Sequence, residues 1–153
     1  MSKIVSTILI AILGIIVGFL IYFFFPNNSV KIYFSNSLED PEVLDCAQVY
    51  PVERKINEKS PYYALFELLQ GPTEQEIEDG YFTNINPGVK IQDLVINNRI
   101  CTVDLSEELI YQVGGSCLVS AIRAQIEKTL LDFNEIDEVI ISVNGEVEEI
   151  LQP

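Results

Sequence analysis

The hydrophobic pattern divides the chain into one unbroken run and a series of short periodic ones. From Ile4 to Phe25 there is no charged residue and no proline, and the only hydroxyls before Tyr22 are those of Ser6 and Thr7. A helix of that length, rising about 1.5 Å per residue, spans roughly 33 Å, enough for a hydrocarbon core of about 30 Å. The pattern predicts a transmembrane helix over residues 4–25, with a short N-terminus (1–3), a polar linker (26–29) and a folded domain over residues 30–153. A cleaved signal peptide is the rival reading. The run ends Tyr22-Phe23-Phe24-Phe25-Pro26, which is not a small-residue cleavage site, and the first cysteine, Cys46, is too distant for a lipid-attachment motif. An uncleaved anchor is therefore expected. Gly14 and Gly18 have the spacing that lets two membrane helices approach closely, although glycine is common in such helices in any case.

Beyond the anchor the periods are short. Val30–Phe34 has strand composition and ends at Ser35-Asn36-Ser37. Leu38–Tyr50 is acidic and irregular. Gln48–Ile56 contains Pro51, which would confine an extended segment to a sheet edge. Ser60-Pro61 opens a helix as N-cap and first-turn proline, with Tyr62, Leu65, Phe66 and Leu69 as its apolar face, and Gly71-Pro72 ends it. Thr73-Glu74-Gln75-Glu76 reads as a capping box for a short helix that stops at Gly80, and Tyr81–Gly88 as a loop.

Val89–Ile96 follows as a strand, with Val89, Ile91 and Val95 facing inward. Asn97-Asn98 is the expected hairpin turn, and Arg99–Leu105 returns with Cys101, Val103 and Leu105 on one face. Ser106–Leu109 is a single turn. The longest helix runs from Cys117 to about Phe133 on a stripe of Val119, Ile122, Ile126, Leu130 and Phe133. Ile136–Val143, the turn Asn144-Gly145 and Glu146–Leu151 make a final strand, turn and return strand. The expected fold is α+β: one small sheet with two helices on one face, in the order β-α-β-β-α-β.

Charge narrows the function. The net charge is −14, and all 23 acids lie beyond the anchor with every base except Lys3. The α-amino group and Lys3 precede the run and Lys31 follows it, with acids dominating beyond, so the positive-inside rule puts residues 1–3 in the cytoplasm and the domain outside. An acidic domain repels nucleic acid and anionic lipid headgroups, so no nucleic-acid partner is expected. The chain has no histidine, which removes His-dependent triads and His-ligated metal sites.

Three local clusters invite chemistry, and each has a plainer reading. Gly114-Gly115-Ser116 could cradle an anion at a helix start, but no lysine follows at phosphate-loop spacing. Asp132, Asn134, Glu135, Asp137 and Glu138 offer oxygens for calcium without the glycine and closing glutamate of an EF-hand. Asp104 with Glu107 and Glu108 could form an acid/base pair, with no flanking feature to hold a substrate. No catalytic residue, cofactor or metal is therefore assigned. Cys46 and Cys117 stand where a disulfide could pin the irregular segment to a helix start. Two unpaired thiols remain the alternative if the topology is wrong.

The motifs in order are A-L-F-E-L-L-Q-G-P-T from Ala64, Glu76–Gly80, Asn86-Pro87-Gly88-Val89, Val103-Asp104-Leu105-Ser106, Gly115-Ser116, Gln125–Leu130 and Val139–Gly145. Together they resemble the GerMN domain family, named for a sporulation and spore-germination protein, over about Tyr62–Leu151. The resemblance implies a fold akin to ring-building motifs and a non-enzymatic, extracytoplasmic module at the bacterial cell membrane. Single-domain relatives look similar around Asp45-Cys46, Pro51–Arg54 and Gly115–Cys117, which supports a Cys46–Cys117 pairing. Gly71, Pro72, Gly80, Pro87, Gly88, Gly115 and Gly145 match turns and look structural. The expected partner is an envelope protein or a second copy. Peptidoglycan is the alternative, with Tyr50, Tyr62, Tyr63 and Tyr81 available to stack on sugars.

Overall fold

A computed structural model describes residues 8, 12–17, 28–42, 44–56 and 58–147. Most of the expected membrane span lies outside the described residues. Ile8 and residues 12–17 are helical and exposed, and among the described residues no helix is long and apolar enough to cross a membrane. The final return strand also lies largely outside them; what is described is one antiparallel bridge from Val143 to Glu146.

The domain is α+β, but it has two three-stranded sheets where the sequence pattern predicted one. In the first sheet, β1 (Ser29–Asn36) lies between β2 (Tyr50–Lys55) and the two-residue β3 (Tyr81–Phe82), all antiparallel. Pro51 sits on the edge strand β2, where its missing N–H removes no ladder bond from an outer neighbour. In the second sheet, β5 (Ile100–Leu105) pairs antiparallel with β4 (Ile91–Asn97) and parallel with β6 (Glu138–Val143). The single-sheet expectation fails because β1 takes β2 as its partner across the irregular 38–49 segment, and β3 and an α-helix occupy its other side.

That helix is α3 (Ser116–Leu131), which packs against β1, β6 and α1 (Pro61–Leu69). Val119, Ile122, Ile126 and Leu130 are buried on it, as their spacing predicts. Two polar residues, Gln125 and Thr129, are also fully buried on this helix. Thr129 Oγ1 accepts a hydrogen bond from the Tyr33 backbone N–H at 3.1 Å, and Gln125 Nε2 donates to Ser35 Oγ at 3.2 Å. Thr129 thus satisfies a β1 backbone group that lies beyond the two-residue β3, and Gln125 bonds the side chain of Ser35, whose backbone register partner is Phe82 in β3.

Helix α1 begins as its sequence predicts: Ser60 Oγ accepts from the Tyr63 N–H, and Pro61 occupies the first turn. Its buried face differs from the expected one. Pro61, Ala64, Leu65 and Leu68 point inward, while Tyr62, Tyr63 and Phe66 are exposed and Leu69 is half-buried. Both faces have helical spacing. The buried one carries the small Ala64, which lets α1 lie close to β1 and α3, and burying Leu65 and Leu68 contributes about 1.5–3 kcal/mol each. The short helix α2 (Glu74–Glu78) has the full Thr73–Glu76 capping box.

Strand β4 also departs from simple alternation. Between Ile91 and Asp93 the register slips by one residue, a β-bulge opposite Leu105 and Asp104. The slip reverses parity, so Leu94 and Ile96 pack on the core with Ile91, and Val95 faces solvent. The hairpin turn is Asn98-Arg99, one residue later than expected. Both have positive φ (50° and 68°), as a type I′ turn requires. Arg99 is held there by Asp137, to which it donates through both Nε and a terminal nitrogen, and by the Asn134 carbonyl at 2.6 Å. Asn144-Gly145 forms its predicted turn, also with positive φ at both positions.

Candidate functional site: a disulfide-flanked groove

The irregular 38–49 segment leaves β1 through an Asn36-centred turn. Asn36 Oδ1 accepts from the Leu38 and Glu39 N–H groups, and its Nδ2 donates to the Asp79 carbonyl. Downstream, Cys46 is joined to Cys117 in the first turn of α3 by a disulfide. The segment is thereby held at one end by hydrogen bonds and near the other by a covalent bond. Between it, β3 and the start of α3 lies an open groove of about 570 Å³.

The groove has four kinds of lining. Phe82, Leu118 and Ala121 supply apolar surface. Ser35 and Asn84 supply polar groups: Ser35 Oγ accepts from Asn84 Nδ2 (2.9 Å) and from Gln125 Nε2, which leaves its own hydrogen to donate. At the start of α3, Gly115 is the N-cap with φ +87° and no side-chain cap, so the first N–H groups of the helix have no capping side-chain oxygen, and Ser116, Cys117 and Leu118 line the groove. Asp40 and Asp45 also line it. Each uses one oxygen in a local backbone bond, to Leu44 N and Ala47 N, and neither joins an ion pair among the described residues.

Several carboxylates of the clusters singled out from sequence hold the fold together. Asp104 Oδ1 accepts from Ser142 Oγ at 2.7 Å and from the Gly145 N–H at 2.8 Å, fixing the 144–145 turn against β5. Glu107 is exposed in the 3-10 turn Glu107–Ile110, and Glu108 is half-buried there. Asp132 binds Tyr33 Oη (3.1 Å) and Lys31, and Asp137 pairs with Arg99. Among the described residues no three Asp, Glu, His or Cys side chains gather as metal ligands. Tyr81 donates through its hydroxyl to the Pro51 carbonyl, Tyr50 is half-buried, and Tyr62 and Tyr63 meet edge to face at 5.6 Å on the exposed side of α1.

One residue of structural weight has no signature of its own in the sequence. Arg54, on β2, donates to Glu76 at the α2 capping box, to the Glu67 carboxylate and carbonyl (both 3.1 Å), and to the Gly71 carbonyl (2.8 Å). Its guanidinium also lies 5.4 Å from the Phe34 ring centroid. It joins β2, the end of α1 and the start of α2 in one contact set. A signal was present in the pairing of Pro51–Arg54 with the E-L-L-Q-G-P-T stretch, which recur in the same resemblance.

The profile match and the fold together place the chain in a class, the GerMN-type domains. The chain belongs to the Germane family, described as sporulation and spore germination, whose profile matches residues 31–149. In fold it is similar to the first GerMN domain of the sporulation protein GerM from Bacillus subtilis, with a TM-score of 0.59 at 19% identity over 80% of this chain and 87% of that one. It is similar also to the tandem GerMN domains of the same protein, with a TM-score of 0.59 at 23% identity over 77% of this chain; it spans 39% of that longer chain. A Clostridium perfringens chain described as a candidate lipoprotein gives a TM-score of 0.52 at 18% identity, over 80% of this chain and 78% of that one. Among curated proteins none matches the chain significantly.

Proposed function

We propose that the chain is a non-enzymatic association module of the bacterial cell envelope, held by residues 4–25 as a single-pass anchor with its domain outside the cytoplasm. The process implied by its family is sporulation or spore germination. The observation that carries the association reading is the outward face of α1, where Tyr62, Tyr63 and Phe66 are 46%, 39% and 44% exposed side by side. Large aromatics clustered on one solvent face are the surface type that protein partners desolvate. The Cys46–Cys117 bridge supports an oxidising compartment. A second copy would bring two chains of net charge −14 together, so the favoured partner is a different envelope protein.

The test places a photo-crosslinking residue at Phe66, and separately at the exposed Gln92 on β4, in the full chain in its native membrane. A discrete adduct from Phe66 and none from Gln92 is expected. Identical adducts from both, or none from either, would overturn the reading. The same Tyr62–Tyr63 pair favours one second reading, stacking on peptidoglycan sugars. Co-sedimentation of the chain with purified cell walls, abolished by Tyr62→Ser with Tyr63→Ser, would select it.

A further inference from the structure

We propose that the groove beside the disulfide binds an extended peptide segment of a partner protein carrying lysine or arginine. This site is separate from the aromatic face of α1. Its volume, about 570 Å³, falls in the range of roughly 300–1,000 Å³ typical of small-ligand sites. Its lining matches a peptide better than the alternatives. Peptide backbone carries donors and acceptors in alternation. The groove offers the Ser35 hydroxyl hydrogen and the uncapped N–H groups of α3 as donors, and Asn84 Oδ1 as an acceptor. Phe82, Leu118 and Ala121 give an apolar wall for side chains on one side of an extended strand.

Charge selects the sequence of that peptide. Asp40 and Asp45 are the charged groups of the lining, no base pairs with either among the described residues, and the chain as a whole is at −14. A phosphate or an acidic peptide would enter against this field, whereas a basic side chain would neutralise it. The disulfide contributes by position. Cys46 and Cys117 both line the groove, so the bond fixes its width.

The experiment uses the isotope-labelled full chain in detergent micelles, titrated with acetyl-Lys-Val-Lys-Val-amide and, separately, with acetyl-Glu-Val-Glu-Val-amide. The lysine peptide is expected to shift the amides of Ser35, Asn84 and Leu118 and to bind at least tenfold more tightly than the glutamate peptide. Asp40→Asn with Asp45→Asn keeps each Oδ1 acceptor, so the loop bonds survive, and should weaken lysine-peptide binding at least fivefold. Gly114→Leu should block binding while folding normally, because a Cβ there meets nothing within 4 Å and the backbone is not left-handed. Equal affinity for the two peptides, shifts confined to Tyr62, Tyr63 and Phe66, or undiminished binding to the Gly114→Leu chain would each overturn the proposal. Tighter binding of a soluble wall stem peptide than of the linear lysine peptide would replace a protein partner by the wall. Shifts at Ser35, Asn84 and Leu118 report on the groove and shifts at Tyr62, Tyr63 and Phe66 on α1, so failure of one site is distinguishable from failure of the other.

Discussion

Arg54 and Glu76 lie 22 residues apart in sequence and meet as a bidentate pair, with Nε 3.0 Å from Oε1 and a terminal nitrogen on Oε2. The two side chains are only 10% and 12% exposed, and the same Glu76 closes the α2 capping box on the Thr73 N–H at 2.7 Å. Removing the arginine would leave a buried carboxylate and two backbone carbonyls without their donor. Arg54→Ala is expected to lower unfolding stability by about 3–5 kcal/mol, read as a drop in the urea midpoint. Arg54→Lys should recover only part of this, because an ammonium cannot reproduce the fork.

The same pair sets an acid limit on stability. Burial pushes the Glu76 carboxyl up, but hydrogen bonds from Arg54 and Thr73 outweigh it and hold the group below its ordinary value of 4.5. A carboxylate with a depressed folded pKa stabilises fully above the unfolded pKa and loses that contribution as pH falls through the folded one. Unfolding midpoints between pH 7 and pH 3 should therefore fall on acidification below about 4.5. Glu76→Gln should be less stable at pH 7 and show a shallower acid slope.

The disulfide closes a loop between positions separated by 71 residues. In the chain-entropy account this contributes about 4 kcal/mol, so reduction or Cys46→Ser with Cys117→Ser should lower the urea midpoint accordingly. Cys101 behaves differently. It is fully buried, and burial pushes its thiol up to about 11. Iodoacetamide at pH 8 should leave Cys101 unlabelled in the native, unreduced chain and label it in urea.

Asp104 separates a structural carboxylate from a catalytic one. Asp104→Asn retains an oxygen for Ser142 and Gly145 and should change stability by less than about 1 kcal/mol. Asp104→Ala removes both bonds to a charged acceptor, leaves Ser142 only its longer bond to the Val103 carbonyl (3.3 Å), and should cost about 1–3 kcal/mol. Thermal melts of the two variants against the parent chain test the difference.

What the sequence made legible was local. Ser60-Pro61, Thr73 with Glu76, and Asn144-Gly145 carry their caps and turns within four residues, and each forms as written. Strand β5 was legible because a buried face and an alternating pattern coincide at Cys101, Val103 and Leu105. The face of α1 was not, since Tyr62–Leu69 and Pro61–Leu68 both repeat at helical spacing and only the neighbours decide between them. The inward side of β4 was hidden by one extra residue in the ladder. Arg54 resembles an ordinary surface arginine, because its partners are 13 to 22 residues downstream. The groove was least visible of all: Ser35, Asp45, Phe82 and Leu118 come from four separate parts of the chain.

The order of the cysteines has a consequence for biogenesis. A chain emerging N-terminus first presents Cys46, then Cys101, and Cys117 last. Early oxidation would join the first two and trap a thiol that belongs in the core. A two-stranded hairpin alone leaves its side chains open to solvent, so pairing of β5 with β4 does not hide the middle thiol. Cys101 is covered by a core that includes Val119, Ile122 and Ile126, and these lie on the same helix as Cys117. The packing that conceals the wrong partner is thus the packing that carries the right one into place.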